Sequence, residues 1–356
     1  MSLSGHATPE GTARYRERFT ERAAKDHFRV REGLNLSSIG IGTYLGNADE
    51  TTDVNYTNAV VRAVQLGVNV IDSAANYRFQ RSERSIGHAL NKLTTEHGFS
   101  RDELVICTKG GYLPFDGAPP RNVRQYVEDT FVKPGIASFD DIVGGSHCMT
   151  PAYLQHQLDQ SLKNLSVAAV DVYYIHNPES QLAYVSNDEF YYRLQQAFER
   201  LEQNRRDGKL RYYGVATWNG FRVPATSSEY HSLHRMVELA REAGADGHGF
   251  RFIQLPLNLA MPEAITVARE AEALGVTAIA SASMLQARLA KGLPEEIRGP
   301  LGSLDTDAQT AIQFVRSTPG IATALVGMSR VEHVEENLAL VQVEPVSREN
   351  FSQLFA

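Results

Sequence analysis

The stretch Tyr56-Thr-Asn-Ala-Val60-Val61-Arg-Ala-Val64-Gln-Leu66-Gly67-Val68-Asn-Val-Ile71-Asp72 contains a complete change of periodicity. Val60, Val61 and Val64 share one face of a helix with a 3.6-residue repeat. Gly67 stops that helix, because glycine closes a helix in the left-handed conformation at little steric cost. The run 68–71 is short, apolar and β-branched, so it reads as a buried strand. Asp72 follows the strand directly.

The same alternation continues outward to both ends of the chain. Strands are expected at 36–41, 68–71, 104–107, 170–175, 212–215, 252–255, 276–280 and 323–326, and helices at 56–66, 82–93, 150–165, 188–206, 228–243, 262–275, 306–316 and 331–340. Regular βα alternation implies parallel strands with crossover helices. Eight units point to an α/β fold of the closed (β/α)8, or TIM-barrel, type. An open doubly wound sheet would carry a glycine fingerprint, and Gly40-Ile-Gly-Thr-Tyr-Leu-Gly46 has the wrong spacing for one. Residues 34–356 are read as a single barrel domain, and the polar residues 1–33 as a partly ordered extension. The segment 110–150 carries Pro114, Pro119, Pro120 and Pro134 and is read as a long functional connection with a short helix at 123–131.

The composition sets the class. The chain of 356 residues is 42% hydrophobic and 22% charged, with a net charge of -7. That is enough apolar content for one large core. There is no basic stripe to meet nucleic acid, no run of the length needed to span a bilayer and no apolar centre of a signal peptide. The two cysteines, Cys107 and Cys148, form no CxxC pair and suit a reducing compartment, so the expected location is cytoplasmic.

In a barrel, functional side chains sit where strands end. Asp72 follows the second strand, Lys109 lies two residues beyond the third, and His176 follows the fourth; Tyr77 lies five residues past Asp72. Singly, each has a bland reading as a solvated or packing residue. Together, on adjacent strand ends, they suit carbonyl reduction. Hydride transfer to C=O leaves an alkoxide that needs a proton and a positive field. A free tyrosine, with a pKa of about 10, is a poor donor near neutrality, and an adjacent ammonium lowers that value. Lys109 can supply the charge, Asp72 can pair with Lys109, and His176 can orient the substrate oxygen. Lys and Tyr make the same set a poor metal site.

Val-Ile-Asp72-Ser-Ala-Ala-Asn-Tyr77, Val105-Ile-Cys-Thr-Lys109, Asp171-Val-Tyr-Tyr-Ile-His176-Asn-Pro178 and Gly40-Ile-Gly-Thr43 together resemble the motifs of the aldo-keto reductases. The resemblance implies a catalytic tetrad of Asp72, Tyr77, Lys109 and His176, with Tyr77 as general acid, NADPH in preference to NADH as cofactor, and a small-molecule carbonyl substrate. It implies that Gln254 holds the nicotinamide carboxamide, that Ser329 and Arg330 meet the 2′-phosphate, and that Glu336 and Asn337 meet the adenine. Arginine suits bidentate phosphate contact, and a helix starting near Val331 adds a favourable dipole. Gly42, Thr43, Thr217 and Ser281 are assigned to the cofactor side. The sequence departs from the family pattern twice: Ala216-Thr217 stands where Ser-Asn is common, and Ser281 stands where an aromatic often stacks on the nicotinamide. Tyr44, His147 and Trp218 are assigned to the substrate pocket. His147 precedes a helix and does not end a strand, so His176 is preferred as the tetrad histidine. Two other readings are a nucleotide-sensing or partner-binding barrel, which potassium-channel β-subunits exemplify, and a metal-dependent hydrolase built on His147, His176 and Asp72.

Overall fold

The helix–glycine–strand unit around Gly67 forms, with the glycine at φ +104°. Its helix starts earlier than 56, because the side chain of Asp49 accepts from Thr52 N and caps a polar first turn that carries no apolar repeat. A computed structural model of the chain describes residues 2–302 and 304–355. Phe28–Arg31 (β1) and Leu34–Ser37 (β2) pair as an antiparallel hairpin. Ile39–Gly42 (β3), Val70–Asp72 (β4), Val105–Gly110 (β5), Val170–His176 (β6), Leu210–Ala216 (β7), Phe250–Pro256 (β8), Thr277–Ser281 (β9) and Ile321–Gly327 (β10) form a closed parallel barrel in which β10 pairs with both β9 and β3. Around it run Pro9–Glu17 (α1), Glu50–Gln65 (α2), Arg81–Thr95 (α3), Val123–Val127 (α4), Pro151–Leu165 (α5), Asn187–Arg206 (α6), Leu233–Gly244 (α7), Ile265–Ala273 (α8), Glu295–Leu301 (α9), Asp307–Ser317 (α10), Val331–Leu338 (α11) and Arg348–Ser352 (α12). Among the described residues no helix is long and apolar enough to cross a membrane.

Successive strand residues face opposite sides, and the barrel follows that period. Val70, Val105, Cys107, Val172, Tyr174, Phe252, Ile279 and Leu325 fill the interior together with Leu34 and Leu36 of the hairpin. Ile39, Ile41, Ile71, Ile106, Tyr173, Ile175, Tyr213, Val215 and Ile253 face outward into the larger core beneath the helices. Gly40 faces inward, where a Cβ would lie 2.7 Å from Leu325 Cδ2.

Two expectations are corrected. The single strand expected at 36–41 is two strands: β2 belongs to the hairpin and β3 to the barrel. Ser38 N donates to His27 O at the break between them. Both pieces are buried on both faces, so hydropathy alone carries no sign of the break.

The second correction concerns the segment before 34, whose described residues 2–33 are folded against the barrel. Ala7 N donates to Asp171 Oδ1 at 2.6 Å, and Tyr15, fully buried, donates its hydroxyl to Val64 O at 2.6 Å. Arg14 and Arg18 on or beside α1 pair with Asp102 and Glu103. The segment reads as polar because its few buried side chains, among them Tyr15, Phe19 and His27, are spaced widely while its charges meet partners far along the chain. The hairpin closes the end of the barrel where its strands begin.

Candidate active site

The inward parity that fills the barrel also builds the site. Asp72 is two residues on from Val70, Lys109 from Cys107, His176 from Tyr174, Gln254 from Phe252, Ser281 from Ile279 and Gly327 from Leu325. Each therefore faces inward one layer above an apolar residue. Register aligns them: Gly42 pairs with Asp72, His176 with Ala216 and Ala216 with Gln254. All of them but Lys109 line a cavity of about 500 Å³ at the carboxyl ends of the strands. Lys109 lies on β5 itself, which runs to Gly110 and so extends past the expected end at 107.

Asp72 and Lys109 are 3% and 1% exposed, so neither charge is screened by water. Lys109 Nζ donates to Asp72 Oδ2 at 2.5 Å and to Ser73 O at 2.7 Å. Asp72 Oδ1 accepts from Gln254 Nε2 at 2.8 Å. Burial pulls the Lys109 value down, but Asp72 and Tyr77 outweigh it and keep the ammonium protonated. Burial holds the Asp72 carboxyl above its ordinary value, although Lys109 and Gln254 draw it part of the way back, and the proton of the pair sits on the lysine.

Tyr77 reaches this pair from the loop after β4. Ser73 N donates to Cys107 O and Ala75 N to Lys109 O, so the loop continues the strand pairing before it turns. Arg78, Phe79 and Gln80 then take φ of +48°, +58° and +70°. Three consecutive left-handed non-glycine residues are costly and persist only where contacts hold them. The contacts are present: Arg78 donates to Asn47 O and Asp53 Oδ1, and Gln80 donates to Phe115 O and accepts from Asn164 Nδ2. The Tyr77 ring lies edge-on to Tyr44 at 5.0 Å and to His176 at 5.8 Å, with Lys109 Nζ 4.9 Å from its centroid. Burial raises the Tyr77 hydroxyl above its ordinary value; Lys109 pulls it down as expected without cancelling the rise, to which Asp72 adds.

His176 is held well below its ordinary value by burial, Lys109 and His147, so the ring is neutral. Its Nδ1 is buried without a partner, which leaves Nε2 as the nitrogen open to the cavity. A buried orphan acceptor is tolerated better than a buried orphan N–H. The proton therefore belongs on Nε2, aimed at the cavity as a donor.

The structure brings together Gly42, Thr43, Tyr44, Asp72, Tyr77, His176, Thr217, Trp218, Gln254 and Ser281 as lining of one cavity, with Lys109 directly beneath. His147 does not line it. It is fully buried behind His176, with Nε2 on His176 O and Nδ1 on Gln181 Nε2, both at 2.8 Å. Burial lowers its value to about 4. The Gln181 amide donates to Nδ1, so the His147 proton is on Nε2 and donates to the His176 carbonyl. Gly111, at φ +142°, leaves room for this ring, since a Cβ would lie 2.8 Å from Nε2. With both nitrogens of His147 and both oxygens of Asp72 engaged, the hydrolase set is dismantled. Among the described residues no group of three His, Cys, Asp or Glu side chains is placed to hold a metal ion.

Ser329, Arg330, Glu336 and Asn337 are not brought to the cavity; they follow Gly327, its last lining residue, into α11, where Arg330 is the exposed N-cap. Other lining residues escaped sequence reasoning. Asn76, Tyr112 and Asn177 flank the tetrad positions, and Ala282 to Ala287 form one wall. Tyr112 lies two residues past Gly110 and Asn177 next to His176, signals that the strand ends could have given. The wall 282–287 has φ of +54° at Ala282 and +44°, +54° and +67° at Leu285, Gln286 and Ala287, a conformation with no sequence signature because none of the four is glycine.

A reduced nicotinamide cofactor fits this lining. Thr217 Oγ1 and Ser283 Oγ are buried and unpartnered beside the cavity, and Gln254 keeps its Oε1 free while Nε2 is held by Asp72. Ala216 adds no polar group.

A sequence profile of the Aldo/keto reductase family matches residues 38–239, more than half of the chain. A putative voltage-gated potassium channel subunit beta of Schizosaccharomyces pombe is 25% identical over 88% of this chain and 87% of its own length. An L-glyceraldehyde 3-phosphate reductase of Escherichia coli O157:H7 is 24% identical over 91% and 89%. Among solved structures, an aldo/keto reductase from Klebsiella pneumoniae in complex with NADP and acetate matches with a TM-score of 0.61, 20% identity and coverage of 93% and 94%. The holo form of an aldo-keto reductase from Bacillus halodurans matches with a TM-score of 0.63, 18% identity and coverage of 92% and 94%. Closed barrel, inward-facing strand-end residues and profile agree: the chain belongs to the aldo/keto reductase family and is an oxidoreductase of that family.

Proposed function

We propose that the chain reduces a small aldehyde or ketone to the alcohol, with NADPH as the reductant. The observation that carries this reading is the convergence of a protonated Lys109, a Tyr77 hydroxyl and a neutral His176 on one end of a single cavity. When bound, a reduced nicotinamide supplies the hydride that reaches the carbonyl carbon. His176 Nε2–H donates to the carbonyl oxygen and orients it. As charge builds on that oxygen, Tyr77 gives up its proton to it, and the resulting phenolate is stabilised by Lys109. Asp72 holds Lys109 in place and compensates its burial.

Gln254, Thr217, Ser281, Gly42 and Thr43 would hold the nicotinamide end. Ser329 and Arg330 would meet the 2′-phosphate, and Glu336 and Asn337 the adenine. Tyr44 and Trp218 would shape the substrate side. Two buried, unpaired thiols, Cys107 and Cys148, fit a cytoplasmic location.

Fluorescence titration with NADPH and NADH tests the cofactor assignment. Arg330→Ala should weaken NADPH binding roughly tenfold or more, toward the NADH value. Tyr77→Phe should bind NADPH normally and lose turnover. Failure to bind either nucleotide refutes the reading. The Schizosaccharomyces pombe relative keeps a sensor reading in view; it requires nucleotide binding without steady-state turnover of any carbonyl by the wild type.

A further inference from the structure

Glu179 lies three residues after His176 and has no part in the chemistry above, yet it is 5% exposed. Its Oε1 accepts from three successive backbone groups of the loop after β7: Trp218 N at 2.5 Å, Asn219 N at 2.9 Å and Gly220 N at 3.5 Å. A carboxylate gathering consecutive N–H groups holds them more tightly than a neutral acceptor would. The loop is closed on its far side, where His231 N donates to Gly220 O at 2.8 Å. The His231 ring stacks on Phe190 at 4.9 Å and leaves no room for a Cβ on Gly220, which would lie 2.3 Å from it. His231 Nε2 stands 3.5 Å from Glu179 Oε2, too long for a strong hydrogen bond but close in a dry site. Burial pushes the Glu179 carboxyl up, but His231 and the backbone donors outweigh it and hold the group below the usual carboxylate range.

Two separate anchors hold the part of the loop around Trp218. Thr217 N is held by Gln254 O at 2.9 Å, an extension of the β7–β8 pairing. Trp218 and the two residues after it are held by Glu179, from the same strand end that carries His176. Trp218 lines the cavity and is 41% exposed. Arg222 lies over its ring and donates to Trp218 O, and its one tie outside the loop is a long 3.5 Å contact to the exposed Glu263, weaker than the buried carboxylate.

We propose that Glu179 is a positioning residue that ties the Trp218 loop to the His176 strand end and so sets the substrate wall, while the cofactor side, anchored through Thr217, is independent of it. The substrate part of this proposal rests on the reductase reading; the hold on Trp218 does not.

Trp218 is the only tryptophan of the chain, so its emission reports on the loop directly. Emission and acrylamide quenching are compared for full-length wild type, Glu179→Ala and Glu179→Gln without ligands. NADPH affinity and steady-state kinetics with 4-nitrobenzaldehyde as probe follow. Glu179→Ala should shift the emission to the red and raise quenching about twofold. It should raise KM roughly tenfold while leaving kcat and the NADPH Kd within about twofold. Glu179→Gln keeps an acceptor oxygen for the three N–H groups and should recover most of each change. Should Glu179→Ala fail to fold, Glu179→Gln must still show a smaller shift in the same direction. Unchanged emission and quenching in the folded variants overturns the hold on Trp218. Equal losses of kcat and nucleotide affinity at constant KM overturn its restriction to the substrate side. A wild type that turns over no carbonyl defeats the reductase reading instead and leaves the emission result standing.

Discussion

Replacing Lys109 by methionine removes the charge at the centre of the site with little change in volume. Its Nζ is 2.5 Å from Asp72 Oδ2 and buried. Two unit charges at that distance attract by about 7 kcal/mol at an effective dielectric of about 20. Burying the two ions costs several kcal/mol each, so the intact pair nets close to zero. Lys109→Met leaves the carboxylate in the same dry site without its cation, and should cost about 3–5 kcal/mol in stability. Asp72→Asn combined with Lys109→Met removes both charges and keeps an acceptor for Gln254 Nε2, so it should return to within about 1.5 kcal/mol of wild type. Urea unfolding of the three proteins measures this, and both variants should lack turnover.

The pH dependence carries a sign. An unpaired, buried Asp72 has its folded value above the unfolded value of about 3.9. The folded state then binds more protons than the unfolded state, and stability falls as pH rises. The Lys109→Met deficit should therefore shrink between about pH 7 and about pH 5. A deficit below about 1 kcal/mol, or a double variant no more stable than the single one, refutes the reasoning that Lys109 compensates a buried carboxylate.

His176 is held neutral, so kcat/KM for reduction should show no break near about pH 6.5. A break there that His176→Gln removes would contradict the neutral ring. In the proposed mechanism Tyr77 acts in its protonated form, and burial raises its value, so the rate should stay level through neutrality and fall only on the alkaline side; a decline beginning below about pH 8 refutes this. Gly214→Ala would place a Cβ 1.7 Å from Phe252 O, a backbone atom of the neighbouring strand. It should cost about 3 kcal/mol or more, and a wild-type melting temperature would count against the β7–β8 register. Tyr15→Phe removes the buried hydroxyl bond to Val64 O and should cost about 1–2 kcal/mol, whereas no change would mean that α1 is not held there.

The barrel was legible because its signal repeats. Six of the eight expected strands are apolar runs closed directly by glycine or a polar residue, and the rest are bounded by the helices between them. That Asp72, Tyr77, Lys109 and His176 come together was legible for the same reason, since reactive residues stood at or just beyond the ends of adjacent strands. His147 was misplaced because sequence distance from the strand end cannot show that its ring turns behind His176 and not toward the cavity. Glu179 and the wall at 282–287 were missed for different reasons. The first acts through backbone N–H groups, which every residue possesses. The second depends on left-handed backbone at Ala282, Leu285, Gln286 and Ala287, residues that rarely adopt it. The helix α1 was overlooked because its polar side chains find their partners near residues 102 and 103, a pairing only the folded chain displays.

The N-terminal segment also bears on how the molecule is made. Its anchors lie progressively farther along the chain: Tyr15 to Val64, Arg14 to Asp102, Ala7 to Asp171 and to Arg211, and Arg29 to Arg316, Ile321 and Ala322. A ribosome releases the earliest residues long before their last partners exist. The hairpin waits longest, because Arg29 completes its bonds only when residues 316–322 emerge, and Phe28 stays open to other chains until then. A late act of assembly is then the meeting of residues 316–322 with Arg29, which seals the hairpin in place.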